Sequence, residues 1–521
     1  MIIHKNPILE GFYPDPSICK VEDRYYMVNS TFAFYPGIPI WCSRDLQNWE
    51  QIGNVLERPS QLQLGECAHS QGIYAPTIRY HEGVFYLVTT NVGGGGNFLV
   101  TAECPEGPWS DPYVLDADGI DPSLFFEEDG TCYYIGTRER TGGGAYFGDN
   151  EIWIQKLNLE QKCLEGESVP IWYGFMEHSV WPEGPHIYKK DGWYYLLYAE
   201  SGTEQHHCIA VARSRMIEGP YEGCPDNPIF THRHLGKKYP VTCVGHGDLV
   251  EDERGDWYMV LLACRPEDGY TLKGRETFLA KVEWEDGWPV VNPGVGHLEL
   301  SETDMSVKKQ YRFQRDYFHP ELLRLRGPGK IQMLDGCMRM CLVPGTLSER
   351  KETAFVALRQ QHDRFYVETV MEIPIDLEPY ECAGLAYLQN EENQIRLEAH
   401  LKKDQLCLKI LSFQAGEEKY AKELELPLES ITEEDKNESA VPKDKISVCL
   451  RMEVKHLQIS FEVKTKAGWR KAGGYIDARH LSTESAGGFT GCVAGVYASS
   501  NKRESSRYVD VLQLEYGNRV V

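Results

Sequence analysis

No stretch of about 18 consecutive apolar residues occurs in this 521-residue chain, so no transmembrane helix is expected. Positive charge is scarce: 54 Lys and Arg stand against 78 Asp and Glu, a net charge of -24. Nucleic acids and anionic membranes are recognised by clustered cations, so both are excluded as expected partners. Helical periodicity is weak throughout. The run Gly93-Gly94-Gly95-Gly96 is followed by neither Gly-Lys-Ser/Thr nor a helix, which excludes a phosphate loop. The 16 cysteines are scattered, and the closest pair, Cys337 and Cys341, has no His/Cys cluster to complete a zinc site. Several, including Cys132, Cys264 and Cys449, lie in apolar strand patterns. They are expected to be reduced core thiols in a cytoplasmic protein. The segment Met1-Ile2-Ile3-His4-Lys5-Asn6-Pro7 lacks the apolar centre of a signal peptide.

What the chain does contain is a phrase written five times. Each copy is a turn signal, an alternating apolar run, a polar hairpin and an aromatic strand. The copies begin Asp15-Pro16-Ser17-Ile18, Ala75-Pro76-Thr77-Ile78, Asp121-Pro122-Ser123-Leu124, Gly184-Pro185-His186-Ile187 and Gly247-Asp248-Leu249-Val250. A hairpin repeated at this spacing predicts the blades of a β-propeller, here five. The propeller is expected to occupy residues 1–300, with Phe278–Trp284 as one of its last strands. Residues 301–325 read as a connector whose Tyr311, Phe313, Tyr317 and Phe318 would pack across two domains.

From residue 326 to 521 the phrase stops and shorter alternating strands follow, clearest over 365–372 and 457–463. They predict a β-sandwich of the concanavalin or lectin-like jelly-roll kind. The fold class is therefore all-β, a five-bladed propeller followed by a sandwich. The charged stretch 416–445, with Glu417, Glu418, Lys419, Glu433, Glu434, Asp435 and Lys436, is expected to be a solvated loop.

Three carboxylates stand at the starts of blades. Asp15 lies between Pro14 and Pro16, Asp121 precedes Pro122, and Glu183 is wedged between Pro182 and Gly184-Pro185. Asp is an ordinary turn residue, but Glu between Pro and Gly-Pro is a poor choice for turn or strand. A propeller brings equivalent positions into one central depression. Three carboxylates there repel, so at least one should be held protonated. One protonated acid and one ionised base is the pairing that glycoside hydrolysis requires.

On these residues the first 300 positions resemble glycoside hydrolase family 43. The matching motifs are Tyr13-Pro14-Asp15-Pro16-Ser17, Ser43-Arg44-Asp45-Leu46-Gln47-Asn48-Trp49, Tyr74-Ala75-Pro76-Thr77-Ile78, Asp121-Pro122-Ser123, Trp181-Pro182-Glu183-Gly184-Pro185-His186, Gly245-His246-Gly247-Asp248 and Gly274-Arg275-Glu276-Thr277-Phe278-Leu279. The second half resembles the sandwich of the β-xylosidase and α-L-arabinofuranosidase branch, which would close the groove into a pocket. The resemblance implies that Asp15 is the general base, Glu183 the general acid and Asp121 the residue that orients Glu183 and raises its pKa. Arg275 resembles a donor to sugar hydroxyls, Phe32 and Tyr74 the aromatic walls of a sugar subsite, and Thr203 a lining hydroxyl. Of the adjacent His206 and His207, His207 is the one expected at the rim. His246 would lie on the channel axis. No cofactor is required on this reading, although in several relatives that histidine ligates a calcium ion or a water network, so a calcium ion near His246 is the metal to test.

The expected activity is that of an inverting exo-glycosidase releasing terminal α-L-arabinofuranosyl or β-1,4-xylosyl residues from oligosaccharides. An endo-acting arabinanase and a non-catalytic carbohydrate-binding protein are the alternatives. Resembling enzymes form homo-dimers or homo-tetramers.

Overall fold

The computed structural model describes residues 3–301, 306–431 and 444–518. Strand dominates, and the one α-helix among the described residues is the four-residue Thr483–Ala486. The chain divides into two compact units. The first holds residues up to 302 except for two short segments, Gly65–Ser70 and Tyr270–Lys273, which group with the second.

The first unit contains five four-stranded antiparallel sheets, four of them built from consecutive strands and the first skipping only the two-residue strand Phe34–Tyr35. Blade I comprises Ser17–Val21, Arg24–Val28, Gly37–Ser43 and Glu50–Leu56. The innermost strands of the other four are Thr77–His81, Ile120–Phe126, Glu183–Lys190 and Thr242–Glu251. All five repeats thus open on an inner strand, as the phrase predicts. The second strands, such as Trp193–Glu200 and Trp257–Cys264, are apolar and buried at nearly every position. They do not alternate because both faces are packed.

The ring closes through the N-terminal segment. Ile8 and Leu9 donate from their backbone to Thr277 O, Tyr13 N donates to Arg275 O, and Asn6 brackets Leu279 with bonds to its carbonyl and from its amide. A buried carboxylate ties four blades together: Asp248 accepts from Ser17 Oγ at 2.7 Å, Ile18 N at 3.0 Å, Arg79 Nη1 at 2.8 Å and Tyr188 OH at 2.5 Å. These cationic and hydroxyl donors hold its pKa well below the usual aspartate range even though burial opposes them.

The second unit is a nine-stranded and a six-stranded antiparallel sheet around one core. Arg364–Pro374 alternates buried and half-buried positions along its length, as one face of a sandwich should. Val367, Met371, Leu385, Leu397, Leu408, Met452 and Phe461 meet in that core.

In the 301–325 segment, Lys308–Tyr311 is a strand paired with Tyr508–Asn518, Tyr311 and Phe313 enter the sandwich core, and Tyr317 is exposed. One expectation is corrected. The charged stretch is a strand over Glu417–Pro427, at the end of the six-stranded sheet. Charge there protects an edge from pairing with other chains. Glu433, Glu434, Asp435 and Lys436 lie outside the described residues. None of the 16 cysteines is in a disulfide, and nine are buried.

Candidate active site

The three carboxylates reach the centre through local backbone geometry. Asp15 and Asp121 adopt left-handed φ values of 52° and 53°, just before or at the start of the inner strands of their blades. Aspartate is among the few residues that tolerate this region. In blade IV the left-handed residue is Gly184, φ 56°, next to Glu183. Register shifts follow, between Ile120 and Ser123 and between Glu183 and His186. Such bulges re-aim side chains at the rim of a sheet.

Asp15 is buried and fully engaged. Its Oδ2 accepts from Ser30 Oγ at 2.6 Å and its Oδ1 from Arg275 Nη1 at 3.0 Å, while His246 Nδ1 stands 4.0 Å from Oδ1. Burial pushes the carboxyl up, but Arg275, His246, Ser30 and His207 together outweigh it and hold the pKa below its ordinary value. Asp121 accepts the Gly184 N–H at 3.1 Å. Burial and the neighbouring Asp15 push its pKa up to about 6 against the opposing pull of His246, Gly184 N–H and Arg275. Glu183 lies furthest from the carboxylate norm. Burial first, then the charges of Asp121 and Asp15, raise its pKa well above the usual value. The three groups are thus split, with one carboxylate held ionised and one held as an acid.

Phe32 and Tyr74 meet edge-to-face, 5.7 Å between ring centroids, and the Arg275 guanidinium lies 5.8 Å from the Phe32 ring centre. Burial and all three carboxylates push the Tyr74 phenol up to about 12, so it stays a hydroxyl. His207 is buried with Nδ1 toward Cys243 O at 3.2 Å and Nε2 4.0 Å from Glu183 Oε1. Burial lowers its pKa to about 3. The neutral ring therefore donates from Nδ1 and presents a bare Nε2 toward the acid. His206 is exposed. Thr203 occupies the loop beside Gly202, which packs against Trp181; among the described residues no hydrogen bond joins it to the carboxylates. Arg275 is committed by Nη1 to Asp15.

His246 packs against Gly184, where a Cβ would meet the ring at 2.8 Å. Among the described residues it belongs to no group of three ligand atoms able to hold a metal. A calcium ion there would have to take most of its six to eight ligands from water, and no step is assigned to a metal.

Ser30 and Asn29 were not singled out from sequence. Asn29 Nδ2 donates to Tyr13 O and Pro14 O, fixing the loop that carries Asp15. The available signal is a polar trio, Asn29-Ser30-Thr31, ending an apolar strand. Phe147 was also missed; it is 85% exposed and rests edge-on against Trp181, two residues before Glu183.

A five-bladed propeller whose central pit holds three carboxylates with divided proton affinities is a glycoside hydrolase. Residues 4–289 match the glycosyl hydrolases family 43 and residues 310–517 the β-xylosidase C-terminal concanavalin A-like domain. The chain belongs to glycosyl hydrolase family 43. It is 45% identical to a xylosidase/arabinosidase of Butyrivibrio fibrisolvens, over 98% of both chains. It is 32% identical to a non-reducing end α-L-arabinofuranosidase of Bacteroides ovatus, over 97% of this chain and 93% of that one. The crystal structure of a xylan β-1,4-xylosidase from Bacillus halodurans superposes with a TM-score of 0.88 at 33% identity, covering 99% of this chain and 100% of the other.

Proposed function

We propose that the enzyme removes single terminal xylosyl and arabinofuranosyl residues from short oligosaccharides, with inversion at the anomeric carbon. The observation that carries this reading is the division of proton affinity between Asp15 and Glu183. Asp15, ionised by Arg275 and Ser30, takes a proton from water as that water attacks the anomeric carbon. Glu183, protonated because burial and two neighbouring carboxylates disfavour its charge, donates to the departing glycosidic oxygen. Asp121 serves Glu183 twice: its Oδ2 holds the adjacent Gly184 N–H, and its charge keeps the acid's proton on. Phe32 and Tyr74 wall the sugar, and Arg275 orients the base.

The dual sugar preference and the exo action are supported by the names of the relatives, one a xylosidase/arabinosidase and one acting at non-reducing ends. The test is initial rates on 4-nitrophenyl β-D-xylopyranoside and 4-nitrophenyl α-L-arabinofuranoside, for wild type and Asp15→Ala, since the base is needed whatever the leaving group. Turnover of both sugars, lost in the variant, is expected. Absence of turnover on both would overturn the reading.

A further inference from the structure

We propose that Cys382, Glu398 and His400, on the six-stranded sheet of the sandwich, form a binding site for one zinc-class divalent ion. Their ligand atoms lie within 4.8 Å of one another. The sheet register produces this grouping. Glu398 and His400 are two apart on Gln394–Lys402 and share a face; Cys382, on Cys382–Leu388, aligns with the next strand so that Ala383 pairs with Ala399. Cys382 therefore stands across from His400. A pair two apart on one strand, plus a residue on its neighbour, is how a sheet gathers three ligands on one face.

The chemistry selects the ion. A thiol, an imidazole and one carboxylate make a mixed set that suits zinc and excludes calcium and magnesium, which take oxygen. Three protein ligands leave a fourth position for water. Zinc-ligand bonds of about 2.0–2.3 Å put tetrahedral ligands roughly 3.3–3.8 Å apart, and His400 Nε2 already stands 3.3 Å from Glu398 Oε2. His400 Nδ1 is buried without a hydrogen-bond partner among the described residues, so nothing on that nitrogen holds the ring away from an ion at Nε2.

The surrounding residues support the set. Arg396 Nε is 3.4 Å from Glu398 Oε1, anchoring one oxygen and leaving the other toward His400. Asn501 Nδ2 donates to Cys382 Sγ at 3.7 Å; burial and the Glu398 charge raise the thiol's pKa well above its ordinary value, so the sulfur is an S–H until an ion binds. On binding, the Cys382 S–H proton is released to solvent as the sulfur–metal bond forms. The other candidate cluster, Cys407, Glu423 and Glu425, carries no such proposal: both carboxylates are exposed, and exposed acidic groups are common without an ion.

The test is titration of the full-length, chelator-treated protein with cobalt(II), followed by zinc. The expected result is a thiolate-to-cobalt charge-transfer band that saturates at one equivalent, disappears on adding zinc and is absent from Cys382→Ser. Because that variant alters a buried position, His400→Gln is measured alongside, with far-ultraviolet circular dichroism as the fold check. It should bind cobalt about 100-fold or more weakly, since losing even an outer-shell partner costs about 10–100-fold. Wild type with no band at one equivalent, a band that survives in folded Cys382→Ser, or a folded His400→Gln that binds cobalt as tightly as wild type would overturn the proposal.

Discussion

Arg275 Nη1 donates to Asp15 Oδ1 at 3.0 Å, with both side chains less than a tenth exposed. The pair joins residues 260 positions apart across the seam that closes the propeller. A buried aspartate without such a partner would hold its proton. This contact is the largest of those that favour the ionised form of Asp15, the form that the proposed general-base role requires.

Arg275→Met should move the acidic limb of kcat/KM to higher pH. Removing the guanidinium leaves burial opposed only by the weaker contributions of His246, Ser30 and His207, so Asp15 takes up its proton earlier as pH falls. The pH-rate profile of the variant is the check; an unmoved acidic limb would count against Asp15 as the base.

Asp121→Asn should shift the alkaline limb the other way. The Asp121 charge raises the Glu183 pKa, so its neutralisation lowers that value and the acid loses its proton at lower pH. The bond to Gly184 N–H survives through the asparagine oxygen, which separates the electrostatic effect from positioning. Glu183→Gln should lower kcat by about 10²–10⁴ on substrates with poor leaving groups, the usual worth of a general acid.

Asp248→Ala should destabilise the propeller by about 3–5 kcal/mol, the cost of stranding a buried partner charge, here Arg79. Its folded-state pKa is depressed, so its stabilisation is present above the ordinary aspartate value and lost as pH falls below that value. Denaturant unfolding at neutral and acidic pH reads both effects; equal stability of variant and wild type at neutral pH would contradict them.

Gly245→Ala should expel the His207 ring. A Cβ at 245 would lie 2.1 Å from His207 Cε1, a clash no small adjustment relieves. Loss of the neutral imidazole beside Glu183 should lower kcat, and overpacking should cost about 1–3 kcal/mol. Steady-state kinetics with a melting curve checks both.

The blades and the carboxylate pit were legible because both are local. A turn residue, an alternating run and an aromatic strand recur, and Asp15, Asp121 and Glu183 each sit at the start of that phrase. What escaped notice depends on distant pairing. Ser30 became visible only when the second strand of blade I returned it to Asp15, and Asp248, although part of the fifth repeat, showed its role only when Arg79 and Tyr188, from two other blades, converged on it. The Tyr270–Lys273 segment reads as propeller sequence but places Leu272 in the sandwich core and Thr271 on Glu484. Charge over 417–427 resembled a loop because an edge strand and a solvated loop carry the same composition.

The central claim is that Asp15 activates water opposite Glu183 in a single displacement. Proton NMR of the first product formed from 4-nitrophenyl β-D-xylopyranoside, recorded faster than mutarotation, tests it most directly. The account predicts that α-xylose appears first and the β anomer only later; β-xylose as the first product would mean a covalent intermediate and contradict it.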